Sequence, residues 1–187
     1  MLLLIAYLLG SIPTAQIVGR RYGLDMRVAG NGNIGSKNVF HQAGLWPGVF
    51  VGAADVTKGA LAIWLAKWSG ASETLLYLTG LAAVLGHDFP IFLRFHGGQG
   101  MATALGVLGT LQPFEVAIGV VVALASLRFT GNWNLSWSIG LGIVPVNAWA
   151  FGRSPQEVWY TIVVLPTVGL KKMIDMTSGI GMAHRRT

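Results

Sequence analysis

Glycine and small polar residues crowd one stretch of the chain, Gly30-Asn31-Gly32-Asn33-Ile34-Gly35-Ser36-Lys37-Asn38. Glycines this closely spaced let consecutive backbone N–H groups turn toward one point, which makes a concavity for an anion. The Asn and Ser side chains add neutral donors, and Arg27 and Lys37 add positive charge. The assembly suits a phosphate. The alternative is a loop at the membrane surface whose glycines only make turns. The stretch matches neither GxxxxGK[ST] nor a GxGxxG that follows a strand.

Three further segments carry polar chemistry inside apolar surroundings. Asp55 and Lys58 are three residues apart, so on a helix they share a face and can pair. Charges at membrane depth are expensive and usually face a bundle interior or a watery cavity. They are therefore expected to form a site wall, with Lys58 free to meet an anion; the alternative is a purely structural pair within the membrane. The run from Gly86-His87-Asp88 to Gly97-Gly98-Gln99-Gly100 ends in three glycines in four residues ahead of an apolar stretch. That resembles a second anion nest at a helix N-terminus, where unpaired N–H groups and the macrodipole attract negative charge. Close helix packing is the other use for such glycines, and an interfacial position is the ordinary use for a lone His87. Finally, Gly10-Ser11-Ile12-Pro13 places a Ser-x-Pro in an apolar helix, where it can kink the helix and free backbone carbonyls.

Other catalytic patterns are absent from the sequence. There is no HExxH, no clustered carboxylate set for a metal and no GxSxG elbow. His41, His87 and His96 lack an Asp five residues on, and His184 is too near the end, so no HxxxxD occurs. With no cysteine there is no disulfide framework, thiolate zinc site or thiol nucleophile. Any chemistry must rest on positioning and charge stabilisation.

The elements that position these segments are membrane helices. Of 187 residues, 53% are hydrophobic and only 11% charged, against roughly 25% charged in an ordinary globular domain. Mean hydropathy is +0.60. Such a composition excludes disorder and a coiled coil. Apolar runs occur at roughly 2–19, 47–68, 72–87, 98–111, 114–130, 134–151 and 155–172, which predicts about seven transmembrane helices in one polytopic domain over 1–187. The third and fourth runs are short for a span of about 20 residues. Residues 20–46 form one long polar, glycine-rich loop. The first run has no positive flank before it, and Arg20 and Arg21 follow it, so it is expected to be retained as a helix rather than cleaved.

Positive charge fixes an expected orientation. With the N-terminus outside, the inside segments hold Arg20, Arg21, Arg27, Lys37, Arg94, Arg128, Lys171, Lys172, Arg185 and Arg186, which is 10 of the 13 basic residues. Lys67 and Arg153 fall outside, and Lys58 lies within a run. This bias fits the positive-inside rule and an odd number of spans, with the C-terminus cytoplasmic. The net charge of +6 then faces anionic lipid. Nucleic acid is not an expected partner, because the basic residues track the topology. A transporter would be expected to show inverted halves, and no internal repeat is visible.

Taken together, the segments resemble the bacterial acyl-phosphate:glycerol-3-phosphate acyltransferases of the membrane. The matching pieces are Gly10-Ser11-Ile12-Pro13; Gly23, Asp25 and Arg27; Gly30, Gly32-Asn33-Ile34-Gly35 and Asn38-Val39; Asp55 with Lys58-Gly59; and Gly86-His87, Pro90, Phe92-Leu93, Phe95, Gly97-Gly98, Gly100, Ala102-Thr103 and Gly106. They stand in order over half the chain. The resemblance implies seven helices and an active site near the cytoplasmic face of the bacterial inner membrane. It implies transfer of a fatty acyl group from acyl phosphate to the 1-hydroxyl of glycerol 3-phosphate, giving lysophosphatidic acid without coenzyme A, carrier protein, metal or other cofactor.

The site residues expected on this reading are His87, Lys58 and Asn38 for catalysis. For phosphate or substrate they are Ser11, Arg27, Gly30, Asn31, Gly32, Asn33, Gly35, Ser36, Lys37, Gly97, Gly98, Gln99 and Gly100. The chain departs from the family's usual pattern at Asn31 (Ser), Lys37 (Thr), His41 (often Arg) and Gln99 (Lys). It also lacks a His-x-x-Asn stretch in the tail. Lys37 could compensate for the lysine missing at 99. The alternative these changes raise is a divergent relative, with a changed acceptor or lost catalysis, that binds a phosphorylated lipid or metabolite.

Overall fold

The structure, a computed structural model, describes the backbone of residues 1–177 and the side chains of residues 1–168. Lys171, Lys172, Arg185 and Arg186, counted above toward the orientation, lie outside the described side chains, as does most of the tail in which the family motif is missing. Among the described residues all regular structure is helical, with no strand. The helices are α1 (Leu2–Ser11), α2 (Thr14–Arg21), α3 (Ser36–Ala43), α4 (Leu45–Trp68), α5 (Glu73–Asp88), α6 (Met101–Leu111), α7 (Pro113–Thr130), α8 (Trp133–Gly142), α9 (Val144–Ala150) and α10 (Pro155–Thr177).

Every apolar run becomes helix, but two of the runs are broken. The first stops at Ile12-Pro13, because proline has no N–H to continue the ladder. Pro13 sits at φ −88°, ψ 67°, and the Thr14 N–H donates to the Ile12 carbonyl at 3.0 Å, a three-residue turn. The sixth run divides around Ile143, and Pro145 sits in the first turn of α9, where its missing donor costs nothing. The expected loop 20–46 is also shorter than read: α2 runs to Arg21, and the glycine-free Ser36–Ala43 forms α3.

Four stretches have the length and composition to cross a membrane: Leu2–Arg21, Leu45–Trp68, Glu73–Leu93 and Pro113–Thr130. Met101–Leu111 is apolar but short, rising only about 16 Å. In α4 the buried residues Gly48, Val51, Asp55, Lys58, Gly59, Ala62, Ile63 and Ala66 recur at helical spacing. Trp46, Val49, Phe50, Leu61, Trp64 and Trp68 are exposed on the rest of the helix. Lipid is the medium in which such a face is stable. Trp46 and Trp68 stand about 33 Å apart along the axis, close to the hydrocarbon thickness, in the positions favoured by aromatic belts.

By contacts the described residues form two compact units, one over Met1–Val107 together with the stretch from Thr167 onward, and one over Leu108–Pro166. In the first, small residues let helices touch backbone to backbone, as is usual in membranes. A Cβ on Gly10 would meet the Ala83 carbonyl, one on Gly86 the Tyr7 carbonyl, and one on Gly106 the Val56 carbonyl. The Tyr7 hydroxyl donates to the Phe89 carbonyl at 2.7 Å, tying α1 to the end of α5. In the second unit, Glu115 is 1% exposed. Its carboxylate accepts from Arg153 Nε at 2.6 Å and from the second guanidinium nitrogen at 3.2 Å.

Candidate active site

The first glycine loop is built by buried side chains that bond to its backbone. Gln16, on α2, accepts from the Met26 N–H at 3.0 Å and donates to Asp25 at 3.1 Å. Asp25 also accepts the Arg27 N–H at 3.1 Å and the guanidinium at 2.5 Å. The guanidinium holds the Asp25 carboxyl far below the usual carboxylate range, and the carboxylate in turn raises the Arg27 pKa. Met26, Ile34, Val39, Val51 and Ala15 pack into one apolar cluster that pins both ends of the loop. Asn38, 2% exposed, donates through Nδ2 to the carbonyls of Ala29 (2.9 Å) and Asn33 (3.0 Å) and accepts from the Asn31 N–H (3.4 Å). Asn31 in turn accepts from the Asn33 N–H at 3.0 Å. Gly30 and Gly32 turn the chain at φ +61° and +71°, where a side chain would strain. Gly35 then opens α3 with no side-chain cap.

The second loop folds back onto the end of α5. The Gly98 N–H donates to the His87 carbonyl at 3.1 Å. A Cβ on Gly98 would strike Nε2 of the His87 ring and lie 2.8 Å from the Ile34 carbonyl oxygen. Gly98 is therefore where the two glycine loops and the imidazole meet.

Asp55 and Lys58 pair as their spacing predicts, Nζ to Oδ1 at 2.8 Å. Lys58 is not free, however: Nζ also donates to the Ile12 carbonyl at 3.2 Å. An ammonium has three N–H bonds, so one remains. The Asp55 Oδ1 accepts from the Thr14 hydroxyl at 2.5 Å, and His87 Nδ1 lies 3.7 Å away.

One recess gathers these groups. Its walls are Ser11 and Thr14 at the break in the first helix, Ile34 from the first loop, Asp55 and Lys58 from α4, His87 from α5, and Gly97 and Gly98 from the second loop. The cavity is only about 10 Å³, enough for one water-sized group. The Ser11 hydroxyl is fully buried there, with no hydrogen-bond partner among the described residues. Buried polar atoms are almost always paired, so a solitary one in a cavity wall suits a polar ligand atom.

Of the expected site residues, Ser11, Lys58, His87, Gly97 and Gly98 line this recess. Arg27, Gly30, Asn31, Gly32, Asn33, Gly35, Ser36, Lys37, Asn38, Gln99 and Gly100 do not. The first loop reaches the recess only through Ile34. Thr14 and Gln16 escaped the sequence reading, though polar residues within three positions of a proline in an apolar run were a usable signal. Ile34 is part of the first glycine loop as read from the sequence but is not singled out there as a site residue. Among the described residues no three His, Asp or Glu side chains converge as metal ligands.

Among the described residues, helices with lipid-facing sides and a polar recess beside two glycine loops define a class, the integral membrane proteins of several helices with a buried polar site. The family model described as glycerol-3-phosphate acyltransferase matches residues 1–180, and the chain belongs to that family. A glycerol-3-phosphate acyltransferase 2 from Dehalococcoides mccartyi is 37% identical over 189 residues, covering 98% of this chain and 90% of the relative. A glycerol-3-phosphate acyltransferase from Thermus thermophilus is 44% identical over 160 residues, covering 83% and 78%. The crystal structure of PlsY, an integral membrane glycerol 3-phosphate acyltransferase, in its glycerol 3-phosphate form matches with a TM-score of 0.85 at 30% identity, covering 96% of this chain and 92% of that one. Its lysophosphatidic acid form matches with a TM-score of 0.84.

Proposed function

We propose that this chain transfers a fatty acyl group from acyl phosphate to the 1-hydroxyl of glycerol 3-phosphate, as an enzyme of the bacterial inner membrane with its site on the cytoplasmic face. Family membership supports the acceptor. The single observation that carries the site is the recess in which Ser11, Lys58, His87 and Gly98 converge.

The hydroxyl oxygen attacks the acyl carbonyl carbon, the bond from that carbon to the phosphate oxygen breaks, and inorganic phosphate leaves. The hydroxyl proton ends on the released phosphate. His87, whose Nε2 faces Gly98, is the ring in the recess able to relay it. An anhydride donor is already activated, so the chain needs no covalent nucleophile. The cavity admits a hydroxyl-sized group, and the phosphates then lie over the backbone of Gly30–Asn38 and Gly97–Gly100. Arg27, Asn31, Asn33, Ser36, Lys37 and Gln99 stand on those same two loops. Asn38 serves this arrangement by holding the first loop's carbonyls. Seven spans with the N-terminus outside place both loops at the inner leaflet, where the acyl tail enters from lipid.

Purified protein with acyl phosphate and labelled glycerol 3-phosphate is expected to yield labelled lysophosphatidic acid. Absence of labelled lipid, under conditions where a relative turns over, refutes the reading. Acyl coenzyme A replacing acyl phosphate equally well would refute the donor.

A further inference from the structure

The proline break in the first membrane-crossing stretch has two lips, and one ion pair holds both. On one side is the Ile12 carbonyl, which has lost its helical donor and accepts from Lys58 Nζ at 3.2 Å. On the other is Thr14, the first residue of α2, whose hydroxyl donates to Asp55 at 2.5 Å. Asp55 and Lys58 are joined to each other at 2.8 Å. The four groups form a closed ring across the break. The Ile12 carbonyl also accepts from the Thr14 N–H at 3.0 Å, and Lys58 meets its second lone pair, so the ring ties both the turn and its hydroxyl to α4 and sets the angle at which α1 stops. The last residue of α1 is Ser11, the one whose buried hydroxyl has no partner and lines the recess.

We propose that Thr14 and Asp55 are positioning residues, which with Lys58 clasp the break at Ile12-Pro13 and so fix the Ser11 hydroxyl in the recess for the acceptor substrate. This rests on the acyltransferase reading above. A hydrogen bond to a charged group is worth roughly a decade or more in an equilibrium constant. Opening the ring frees Ser11 by about that factor.

The test is Thr14→Val, which keeps the shape and removes the donor, beside Thr14→Ser, which keeps the donor. Both are measured in wild-type and Ser11→Ala backgrounds. Thr14→Val is expected to raise the KM for glycerol 3-phosphate about tenfold and leave the KM for acyl phosphate within twofold. Thr14→Ser is expected to restore the wild-type value. In the Ser11→Ala background Thr14→Val is expected to add less than twofold, since the group it positions is gone. Loss of packing alone would affect both substrates and persist in that background. An unchanged KM in Thr14→Val, an undiminished effect without Ser11, or no rescue by serine each overturns the inference while leaving the acyltransferase reading intact. A wild-type protein that neither binds nor acylates glycerol 3-phosphate overturns both.

Discussion

Substitution of Gly98 by alanine should close the site with the least possible chemistry. The added methyl carbon would lie 2.8 Å from the Ile34 carbonyl oxygen and against Nε2 of His87. An ordinary contact begins near 3.4 Å, so the backbone of Ile34 must retreat by about 0.6 Å, and the imidazole must swing further. His87 is buried and has Asp55 on its other side, so the ring cannot turn away without leaving the recess. Displacing reacting groups by about 1 Å costs on the order of 100-fold in rate, or about 2.7 kcal/mol of transition-state stabilisation. Overpacking penalties of about 1–3 kcal/mol agree in size. The assay is formation of labelled lysophosphatidic acid by detergent-purified variant, with circular dichroism and monodisperse elution as controls on folding. The expected result is a roughly 100-fold fall in kcat with helicity retained. A folded Gly98→Ala variant within threefold of wild type would show that Gly98 merely packs, and that the meeting of the two loops at His87 has no part in catalysis.

Arg153→Met leaves the Glu115 carboxylate buried without its partner, which should cost about 3 kcal/mol or more; a thermal midpoint in detergent equal to wild type would refute it. The depressed pKa of Asp25 stabilises the first loop above the ordinary carboxylate value of 3.8 and is lost only as pH falls well below it. A carboxyl resonance of Asp25 still ionised at pH 3.8, moving up toward the ordinary value in Arg27→Gln, is the expected NMR result; a wild-type midpoint at 3.8 counts against the pairing. Lys37→Ala should lose at least tenfold in activity, while Gln99→Lys keeps wild-type turnover, if Lys37 replaces the charge missing at 99. A fully active Lys37→Ala ends that idea.

Local features were legible in the sequence and distant pairings were not. The helices fall on the apolar runs because hydropathy and spacing act within one element. The Asp55–Lys58 pair follows from the same local geometry, and so does the break at Pro13. The partners of that pair did not follow. Thr14 and Asp55 are 41 residues apart, and Lys58 and Ile12 are 46 apart, and no periodicity encodes which turn of α4 faces the break. The approach of Ile34 to Gly98 is likewise a product of packing. Asn38 is expected from the sequence among the catalytic residues, as a neutral hydrogen-bonder in the glycine loop. Its three hydrogen bonds go to the loop's own backbone, partners that composition and spacing do not specify.

The broken first helix also bears on how the chain enters a bilayer. Residues 2–21 carry a Thr14 hydroxyl whose acceptor is Asp55 and an Ile12 carbonyl whose second donor is Lys58, and α4 carries a buried ion pair whose further donors and acceptors lie on that turn. Each segment alone would bring unmet polar groups into hydrocarbon. The two are therefore expected to insert as one cooperative event, the first helix waiting at the translocation machinery until residues 45–68 have been synthesised and can sit beside it.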